Sequence, residues 1–423
     1  MSEKIERIVL MVYAFTFTAP VLTLFGKTWY TWLSLIISLY YLVKNYKNDG
    51  INIKFSIYLL IFIFAIFSSF ICYISEVPDY LKDEQLINII WEIIFLILFY
   101  EFYSGKDTNG IYFVKGIYYA AIINMIWGFL QLIAYQLFGL KINELIFDNL
   151  LHMVSGRTLT PDRGNSIMLT GFTWNAGAIA ALMVIGYMLS KKLITKLSFI
   201  LFALLCGSRT LLLGIGVCVA LELCVCIYRS KVLKNRKTMI IILFIVVILG
   251  AAMCVPKISN LVISKVTDLL NSLSSSYLST QTSSRVHARY WTATLQVVQY
   301  SGIVHTLFGW GIGCSGHPFS MLFNHFPGYA WVIECDFINI LWEYGVIYFM
   351  LFYGYFAYNI IKGTKIDYRY FIMFIAILIE GITYNVLLNW GFPTILIIFT
   401  LIKNNRNIFE EINIGLHTKL IIE

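Results

Sequence analysis

The segment Cys206–Gly214, with the sequence CGSRTLLLG, joins two apolar runs at roughly Leu193–Cys206 and Leu211–Tyr228. Apolar runs approaching about 20 residues cross a lipid bilayer as helices. The stretch therefore predicts two spans joined by a turn of about four residues. Arg209 stands in that turn, at the start of the second span. A cation there is either a membrane anchor or part of a site, and the side of the membrane that it faces decides between the two.

The composition predicts an integral membrane protein. Of 423 residues, 59% are hydrophobic and only 13% are charged, whereas soluble domains carry about 25% charged residues. Lipid must therefore solvate most of the chain, which leaves no room for a large water-soluble domain. The first apolar run follows MSEKIER and has no small-residue cleavage site after it, so we expect a retained first helix and not a signal peptide.

Twelve apolar runs predict twelve membrane-spanning helices. Their approximate bounds are Ile8–Phe25, Trp29–Val43, Phe55–Ile74, Leu86–Tyr100, Gly116–Phe138, Gly171–Ser190, Leu193–Cys206, Leu211–Tyr228, Met239–Val255, Phe337–Tyr358, Tyr370–Leu388 and Trp390–Ile402. No repeat of fixed period and no Gly/Ser-rich or Pro-rich linker divides the chain. We therefore expect one polytopic, all-α membrane domain over residues 1–423.

The distribution of basic residues predicts which side of the membrane is cytoplasmic. With twelve spans, both termini share one side, and that side holds 21 of the 31 lysines and arginines. By the positive-inside rule this side is cytoplasmic, which also accounts for the net charge of +8 without a nucleic-acid partner. The external side keeps ten basic residues, of which five are arginines: Arg157, Arg163, Arg209, Arg285 and Arg289.

Two predicted external loops are long. The first loop, residues 139–170, leads into GRTLTPDRGNSIMLTGFTWNAG, and the second loop, residues 256–336, lies between the ninth and tenth spans. The second loop begins with apolar residues at helical spacing, which predict an amphipathic helix on the membrane surface. A polar link, a second helix (RVHARYWTATLQVVQYS) and a glycine-rich turn (LFGWGIGCSG) follow. Cys314 and Cys335 both lie in this loop, and a disulfide between them is one alternative to their being separate apolar side chains.

The external arginines predict a binding site for a phosphate-bearing lipid. Arginine pairs bidentately with phosphate, and Arg209 and Arg285 lie near predicted helix starts, where an anion is favoured. The alternative is that these arginines contact lipid headgroups or external acids such as Asp162. Near such a site, Glu334 or Asp336 is a candidate general base, although either carboxylate can instead be merely solvated.

Other ionisable residues are alternatives to Glu334 and Asp336. The four histidines of the second external loop compete for the role of base: His287, His305, His317 and His325. Acids inside the spans are costly to bury and are expected to bond to neighbouring helices; they are Glu92, Glu222, Glu343 and Glu380. The sequence has no P-loop, dinucleotide fingerprint, HExxH or external DxD motif. We therefore expect no metal and no cofactor, and a substrate that is already activated, such as a lipid-diphosphate-linked sugar.

Four motifs in this order resemble the O-antigen polymerase and ligase family, which includes the Wzy-type polymerases of bacterial surface polysaccharides. They are the arginine-containing first loop with its Gly/Asn-rich entry to the next span, the Ser-Arg of GSRTLLLG, the arginine before a tryptophan-containing helix and glycine turn (SSRVHARYWTATL, LFGWGIGCSG), and a polar residue eleven positions before a glycine (ECDFINILWEYG). The resemblance covers residues 157–345.

The resemblance implies a GT-C-type glycosyltransferase-like fold and transfer of a glycan from an undecaprenyl-diphosphate donor, on the external face of a bacterial plasma membrane. It implies that Arg209 contacts the diphosphate, with Arg285 or Arg289 beside it and Arg157 or Arg163 opposite. In the ligases a histidine occupies the position of Glu334, so the glutamate favours a polymerase and leaves the base open between Glu334 and Asp336. Candidate substrate-binding residues are Asn175 and His287. A separate chain-length regulator is the partner usual for the family.

Three other functions compete with this interpretation. The first is a ligase-type transferase, which moves finished glycan to another acceptor. The second is a flippase or transporter of lipid-linked oligosaccharide, which should place charge near the middle of the bilayer and show broken helices in both halves of the chain. The third is a non-enzymatic membrane scaffold. The charge in the external loops favours the transferase.

Overall fold

The computed structural model describes most of the apolar helices and part of each loop. The described residues are 3–24, 27–48, 57–75, 77, 79–103, 110–153, 159, 161–163, 166–173, 176–229, 282–322, 333, 335–365, 367–387, 398, 402 and 409. This part of the chain is mostly helical, as predicted. The predicted ninth span, Met239–Val255, and most of the twelfth lie outside the described residues, as does the predicted amphipathic helix at the start of the second loop.

The helices and strands follow one another in a simple order. The α-helices are α1 Glu3–Phe17, α2 Trp29–Asn48, α3 Ile57–Ile74, α4 Asp79–Tyr103, α5 Gly110–Phe138, α6 Ala176–Leu189, α7 Leu193–Leu205, α8 Arg209–Arg229, α9 Thr282–Phe308, α10 His317–Leu322, α11 Asp336–Thr364 and α12 Tyr368–Thr383. A short π-helix covers Glu144–Leu150. Two antiparallel hairpins pair β1 (Thr23–Leu24) with β2 (Lys27–Thr28) and β3 (Asp162–Arg163) with β4 (Ser166–Ile167).

Several helices are long and apolar enough to cross a membrane. Within the described residues, three reach the length and hydropathy of a full span: Gly110–Phe138, Arg209–Cys226 and Asp336–Thr364. Three shorter apolar helices accompany them: Leu59–Ile74, Gly177–Leu189 and Leu193–Leu205. Large apolar side chains are exposed on the outer helix faces, as with Ile36 (60%) and Leu137 (70%). A lipid environment accounts for such surfaces, so the chain is a helical membrane protein.

The helices contact one another in a closed circuit that includes α6. Contacts run from α1 to α2, α4, α3, α11, α12 and α8, and return through α6 and α5 to α1. Helix α6 also contacts α7, and its hydrophobic side chains are at most 4% exposed. A helix that is apolar all round belongs inside the protein. Its many small residues, in the sequence AGAIAALMVIGYML, allow the neighbouring helices to approach closely.

Helices α1 and α5 pack closely at a glycine. A Cβ atom added to Gly116 would lie 2.6 Å from the Cβ atom of Ala14 and 2.8 Å from the backbone of Met11. Because backbone atoms cannot move aside as a flexible side chain does, any larger residue at this position must push the two helices apart. The glycine is therefore a requirement of this helix pair.

We expect Gly116→Ala to destabilise the protein by about 1–3 kcal/mol because it overpacks the α1–α5 contact. The matched control is Gly216→Ala in α8, where an added Cβ atom would meet nothing within 4 Å; it should leave stability unchanged or raise it by up to about 1 kcal/mol. Unfolding in detergent by titration with a denaturing surfactant measures both. Equal stability of the two variants would contradict the close contact.

Candidate functional site

The turn that carries Arg209 is tight, as the sequence predicts. Helix α7 ends at Leu205, and Gly207 takes a left-handed conformation (φ 77°) that reverses the chain. The hydroxyl oxygen of Ser208 then accepts a hydrogen bond from the N–H of Leu211 (3.3 Å) and caps the next helix. Arg209 is the first residue of α8, and its side chain is exposed. A cation thus stands at a helix N-terminus that already favours anions.

The end of the first loop lies beside this turn. The N–H of Leu169 donates to the carbonyl oxygen of Cys206 (3.0 Å), and the thiol of Cys206 donates to the carbonyl oxygen of Leu169 (3.0 Å). Leu169 comes two residues after the β3–β4 hairpin. Arg163 is the last residue of β3, next to the turn of that hairpin. The arginine-containing first loop and the Arg209 turn therefore meet. The side chain of Arg163 is not described, and Arg157 and Asn175 lie outside the described residues.

Residues 168–173, which precede α6, are not helical, although they run alongside the middle of α5. The N–H groups of Thr170 and Gly171 donate to the amide oxygen of Gln131 (3.2 and 3.0 Å), and that of Phe172 donates to the amide oxygen of Asn124 (2.7 Å). Asn124 is the fifteenth of the 29 residues of α5. Helix α6 consequently begins at Ala176, later than predicted, and side-chain amides replace the missing backbone partners.

The glycine-rich turn of the second loop docks onto a break in α11. Helical geometry is interrupted at Gly345 (φ 81°, ψ 172°). The carbonyl oxygens of Trp342 and Glu343, just before the break, accept hydrogen bonds from the N–H groups of Trp310 (2.8 Å) and Gly311 (3.0 Å). The hydroxyl of Ser68 in α3 also donates to the Glu343 carbonyl. A break in a helix leaves the carbonyl groups before it without N–H partners, and the turn supplies those partners.

Glycines make this docking possible. Gly309 and Gly345 both have positive φ angles, 82° and 81°. A Cβ atom on Gly309 would lie 2.2 Å from the Glu343 carbonyl oxygen, and one on Gly345 would lie 2.3 Å from the Leu307 carbonyl oxygen. The glycine that ends the motif ECDFINILWEYG is thus the break itself.

A buried polar cluster lies beside the break. We give this name to Ser315, Asn339, Glu343 and Asn385. The hydroxyl of Ser315 donates to the amide oxygen of Asn339 and contacts Oε1 of Glu343 (3.3 Å), while the amide of Asn339 donates to Asn385 (2.9 Å). The second carboxylate oxygen of Glu343 is buried and has no hydrogen-bond partner among the described residues. A carboxyl group in such a setting is expected to serve a function.

Asp336 begins α11 and anchors the chain that follows α12. It is fully buried, and its Oδ2 accepts hydrogen bonds from the N–H groups of Val386 (3.0 Å) and Leu387 (2.8 Å). A Cβ atom on Gly381 would lie 2.8 Å from the same oxygen. The carboxylate is therefore engaged in holding two chain segments together. Glu334, the other candidate base, lies outside the described residues.

Glu380 lies against α8 below Arg209. A Cβ atom on Gly214 would lie 1.9 Å from a carboxylate oxygen of Glu380, so the carboxylate packs on bare helix backbone. Gly214 is five residues after Arg209, or about 7.5 Å along the helix axis. Asp336 interacts electrostatically with both Glu343 and Glu380. Three buried carboxyl groups thus lie near the junction of α8, α11 and α12, with the exposed arginine above them.

Two candidate bases among the histidines flank one tryptophan. The imidazole of His305 stacks on Trp310 (centroids 3.7 Å apart, planes 6° apart), and His317 meets the edge of Trp310 at 5.3 Å. Nδ1 of His305 donates to the carbonyl oxygen of Gly309 (3.1 Å). Burial lowers the pKa of both imidazoles below the ordinary 6.5. The neighbouring His305 lowers the pKa of His317 further. Both are therefore neutral near pH 7.

Three further candidate site residues lie on α9. The backbone of α9 is helical across three predicted site residues, whose side chains are not described: Arg285, His287 and Arg289. Among the described residues, no group of three His, Cys, Asp or Glu side chains can hold a metal ion.

Glu222 bonds to neighbouring helices, as expected of an acid inside a span. It accepts a hydrogen bond from the hydroxyl of Tyr187 (2.8 Å) and pairs with Lys196.

No protein-family model matches this chain, and no curated protein matches it. The family therefore remains an expectation that rests on the four motifs and their order.

The amides Asn124, Gln131 and Asn339 were not predicted from the sequence, whereas Glu343 was noticed only as an acid inside a span. Asn124 and Gln131 lie seven residues apart on α5, and Asn339 and Glu343 lie four residues apart on α11. Both spacings put two polar groups on one face of an apolar helix. Polar residues that recur at helical spacing inside a span were thus the available signal, and they indicate internal partners.

We expect Asp336→Ala to release the chain that follows α12, because it leaves two buried N–H groups unpaired at a cost of about 1–3 kcal/mol each. Amide hydrogen exchange at Val386 and Leu387 should accelerate. Asp336→Asn, which keeps an oxygen acceptor, is the matched control and should exchange more slowly than Asp336→Ala. Unchanged exchange in the alanine variant would show that the anchor is absent.

The lowered histidine pKa values predict a stability that decreases in acid. The unfolded chain binds protons at these positions near pH 6.5, whereas the folded chain binds them only at lower pH. The stabilisation is therefore complete above pH 6.5 and is lost as the pH falls through the lowered values. NMR of ¹³C-labelled histidine, assigned with His305→Gln and His317→Gln, should give two midpoints below 6.5. Midpoints at or above 6.5 would disprove the burial of these rings.

Proposed function

We propose that this protein is a polysaccharide polymerase that transfers a glycan from an undecaprenyl-diphosphate donor to a lipid-linked repeat-unit acceptor. One observation carries the proposal: an exposed arginine begins a long apolar helix, beside the arginine-containing first loop and above a group of buried carboxyl groups. A helix N-terminus with a guanidinium group is suited to a diphosphate. A site at the end of a membrane helix lets the lipid tail of the substrate remain in the bilayer.

The proposed reaction is an inverting displacement. A carboxylate takes the proton from a hydroxyl group of the acceptor sugar, and that oxygen attacks the anomeric carbon of the donor. The bond from the anomeric carbon to the diphosphate breaks, and the lipid diphosphate leaves with the electron pair. Arg209 and the arginines of α9 and the first loop stabilise the negative charge of the leaving group, which is the kind of term that dominates many enzyme reactions.

Of the two candidate bases, we assign the role to Glu334, because Asp336 is already engaged. Asp336 already accepts two backbone hydrogen bonds, so in this proposal it positions the start of α11. Its neighbour Glu334, two residues earlier, acts as the base. The absence of a histidine at this position supports a polymerase over a ligase-type transferase within the family that the motifs resemble.

The proposal extends to architecture and location. It includes twelve spans in a GT-C-type arrangement, both termini in the cytoplasm and a site on the external face of a bacterial plasma membrane. The excess of lysine and arginine in the loops on one side supports this orientation. A separate chain-length regulator is the expected protein partner, and the reaction as written requires no cofactor.

A flippase or transporter of lipid-linked oligosaccharide is the second candidate, because of two specific observations. Helix α11 is broken at Gly345, and non-helical backbone runs beside the middle of α5. Discontinuous helices near a buried carboxyl group, here Glu343, are typical of transport sites. The cation at the start of α8 favours the transferase, since a diphosphate at the membrane surface needs such a group.

Purified protein with a lipid-diphosphate-linked repeat unit, without ATP and with EDTA present, should give a ladder of products spaced by one repeat. Arg209→Ala should lower the rate by about 100-fold to 1,000-fold, because it removes a charge that stabilises the leaving group. Arg209→Lys should also lose most activity, because lysine keeps the charge without the bidentate fork. Glu334→Gln should abolish the ladder.

The matched control is Arg369→Lys. Arg369 lies in the first turn of α12, eleven residues before Glu380, and pairs with Asp367 (2.6 Å); this variant should polymerise normally. A normal ladder from Arg209→Ala would refute the assignment of Arg209. If the folded wild-type protein gives no ladder, transbilayer movement of the same lipid would establish the flippase, and transfer to a different acceptor would establish the ligase.

A further inference from the structure

We infer that Cys72 and Cys314 form a disulfide that fastens the glycine-rich turn to α3. Their sulfur atoms lie 3.7 Å apart, and both side chains are fully buried. Cys72 lies two residues before the end of α3, and Cys314 lies in the turn that docks onto the break in α11. The two cysteines are 242 positions apart in the chain, so their proximity is a product of the fold.

Packing on both sides holds the two thiols in register. A Cβ atom on Gly311 would lie 2.4 Å from the Cβ atom of Cys72, so the turn rests directly on this cysteine. From α4, the amide of Gln85 donates to the carbonyl oxygen of Ile312 (2.9 Å) and to the sulfur of Cys314 (3.5 Å). The sulfur atoms of a disulfide lie about 2.05 Å apart, so an approach of less than about 2 Å closes the bond.

The sequence left open a different partner, Cys335, because it shares the second loop with Cys314. Instead, Cys335 lies directly before α11 as its N-cap residue, and the sulfur of Cys314 faces Cys72. Proximity along the chain was therefore a poor guide. The three cysteines do share one apolar cluster with Trp310, which explains why burial could not discriminate between the pairs.

The reaction is thiol–disulfide exchange with an external dithiol-disulfide oxidoreductase. The two thiols of the protein lose two protons and two electrons and form one S–S bond. The oxidant accepts the electrons, and its own disulfide becomes a dithiol. This chemistry belongs to an oxidising compartment, so the inference rests on the external orientation in the proposed function. Since both sulfurs are buried in the folded protein, the bond forms while the turn is docking.

The bond would secure the contact on which the broken helix depends. Its two ends are α3, which also contacts the Glu343 carbonyl through Ser68, and the turn, which contacts the same carbonyl through Gly311. A covalent link between them keeps both partners on this carbonyl. The reduced protein holds the turn by hydrogen bonds and packing alone.

The test is the thiol state of the full-length protein in cells. Cells are quenched in acid, the protein is denatured and treated with N-ethylmaleimide, and unreduced peptides are analysed by mass spectrometry. We expect a Cys72–Cys314 cross-linked peptide in most chains, lost on treatment with dithiothreitol. Cys335→Ala should retain it, and Cys72→Ala should lose it. Two alkylated thiols at positions 72 and 314, or a peptide that joins Cys314 to Cys335, would overturn the inference.

Two further measurements keep the result independent of the proposed function. Dithiothreitol should lower the melting temperature of the wild-type protein by a few degrees and leave that of Cys72→Ala unchanged. Diamide should re-form the bond in reduced, purified protein, whichever side of the membrane the pair faces in cells. If diamide re-forms the bond in vitro but both thiols are alkylated in cells, the pair lies in a reducing compartment. That result would overturn the bond as a native feature, whatever the product ladder shows.

Discussion

The backbone carbonyls of Trp342 and Glu343 set the requirement on which much of this structure depends. They lie in an apolar helix just before a break, and buried carbonyls without partners are costly where no water can reach them. The glycine-rich turn supplies the two N–H groups, and it can come close enough only because Gly309 and Gly345 lack side chains. The docked turn also brings Trp310, Cys314 and the two flanking histidines to α3 and α11. One pair of hydrogen bonds thus determines where a distant loop segment lies.

The same requirement is met in a different way beside α5. There the chain before α6 is not helical, and the side-chain amides of Asn124 and Gln131 accept its N–H groups. The first case uses backbone to satisfy backbone, and the second uses amides that an apolar helix carries for this purpose. Both devices place irregular backbone inside the protein, where loops can carry chemistry close to a membrane.

The sequence predicted regular features better than interruptions. Apolar runs predicted the helical membrane body, and the CGSRTLLLG segment predicted the turn and the start of α8 at Arg209. The break at Gly345 and the late start of α6 were missed, because hydropathy averages over a window and does not register one left-handed residue. In the site, the sequence offered Asp336 as a candidate base or a solvated carboxylate, whereas the structure buries it, and its bonds to Val386 and Leu387 depend on a segment fifty residues later. Pairings between distant segments leave no local pattern.

The enclosure of α6 has a consequence for biogenesis. Every residue of this helix from Gly177 to Leu189 is buried, and the helix contacts α12, which lies nearly two hundred positions later in the chain. During synthesis, therefore, the flank that α12 will cover stays without this native neighbour until α12 itself has left the ribosome. Contacts between such distant segments form slowly because a long loop must close first. The membrane body thus completes its packing only after α12 has been synthesised.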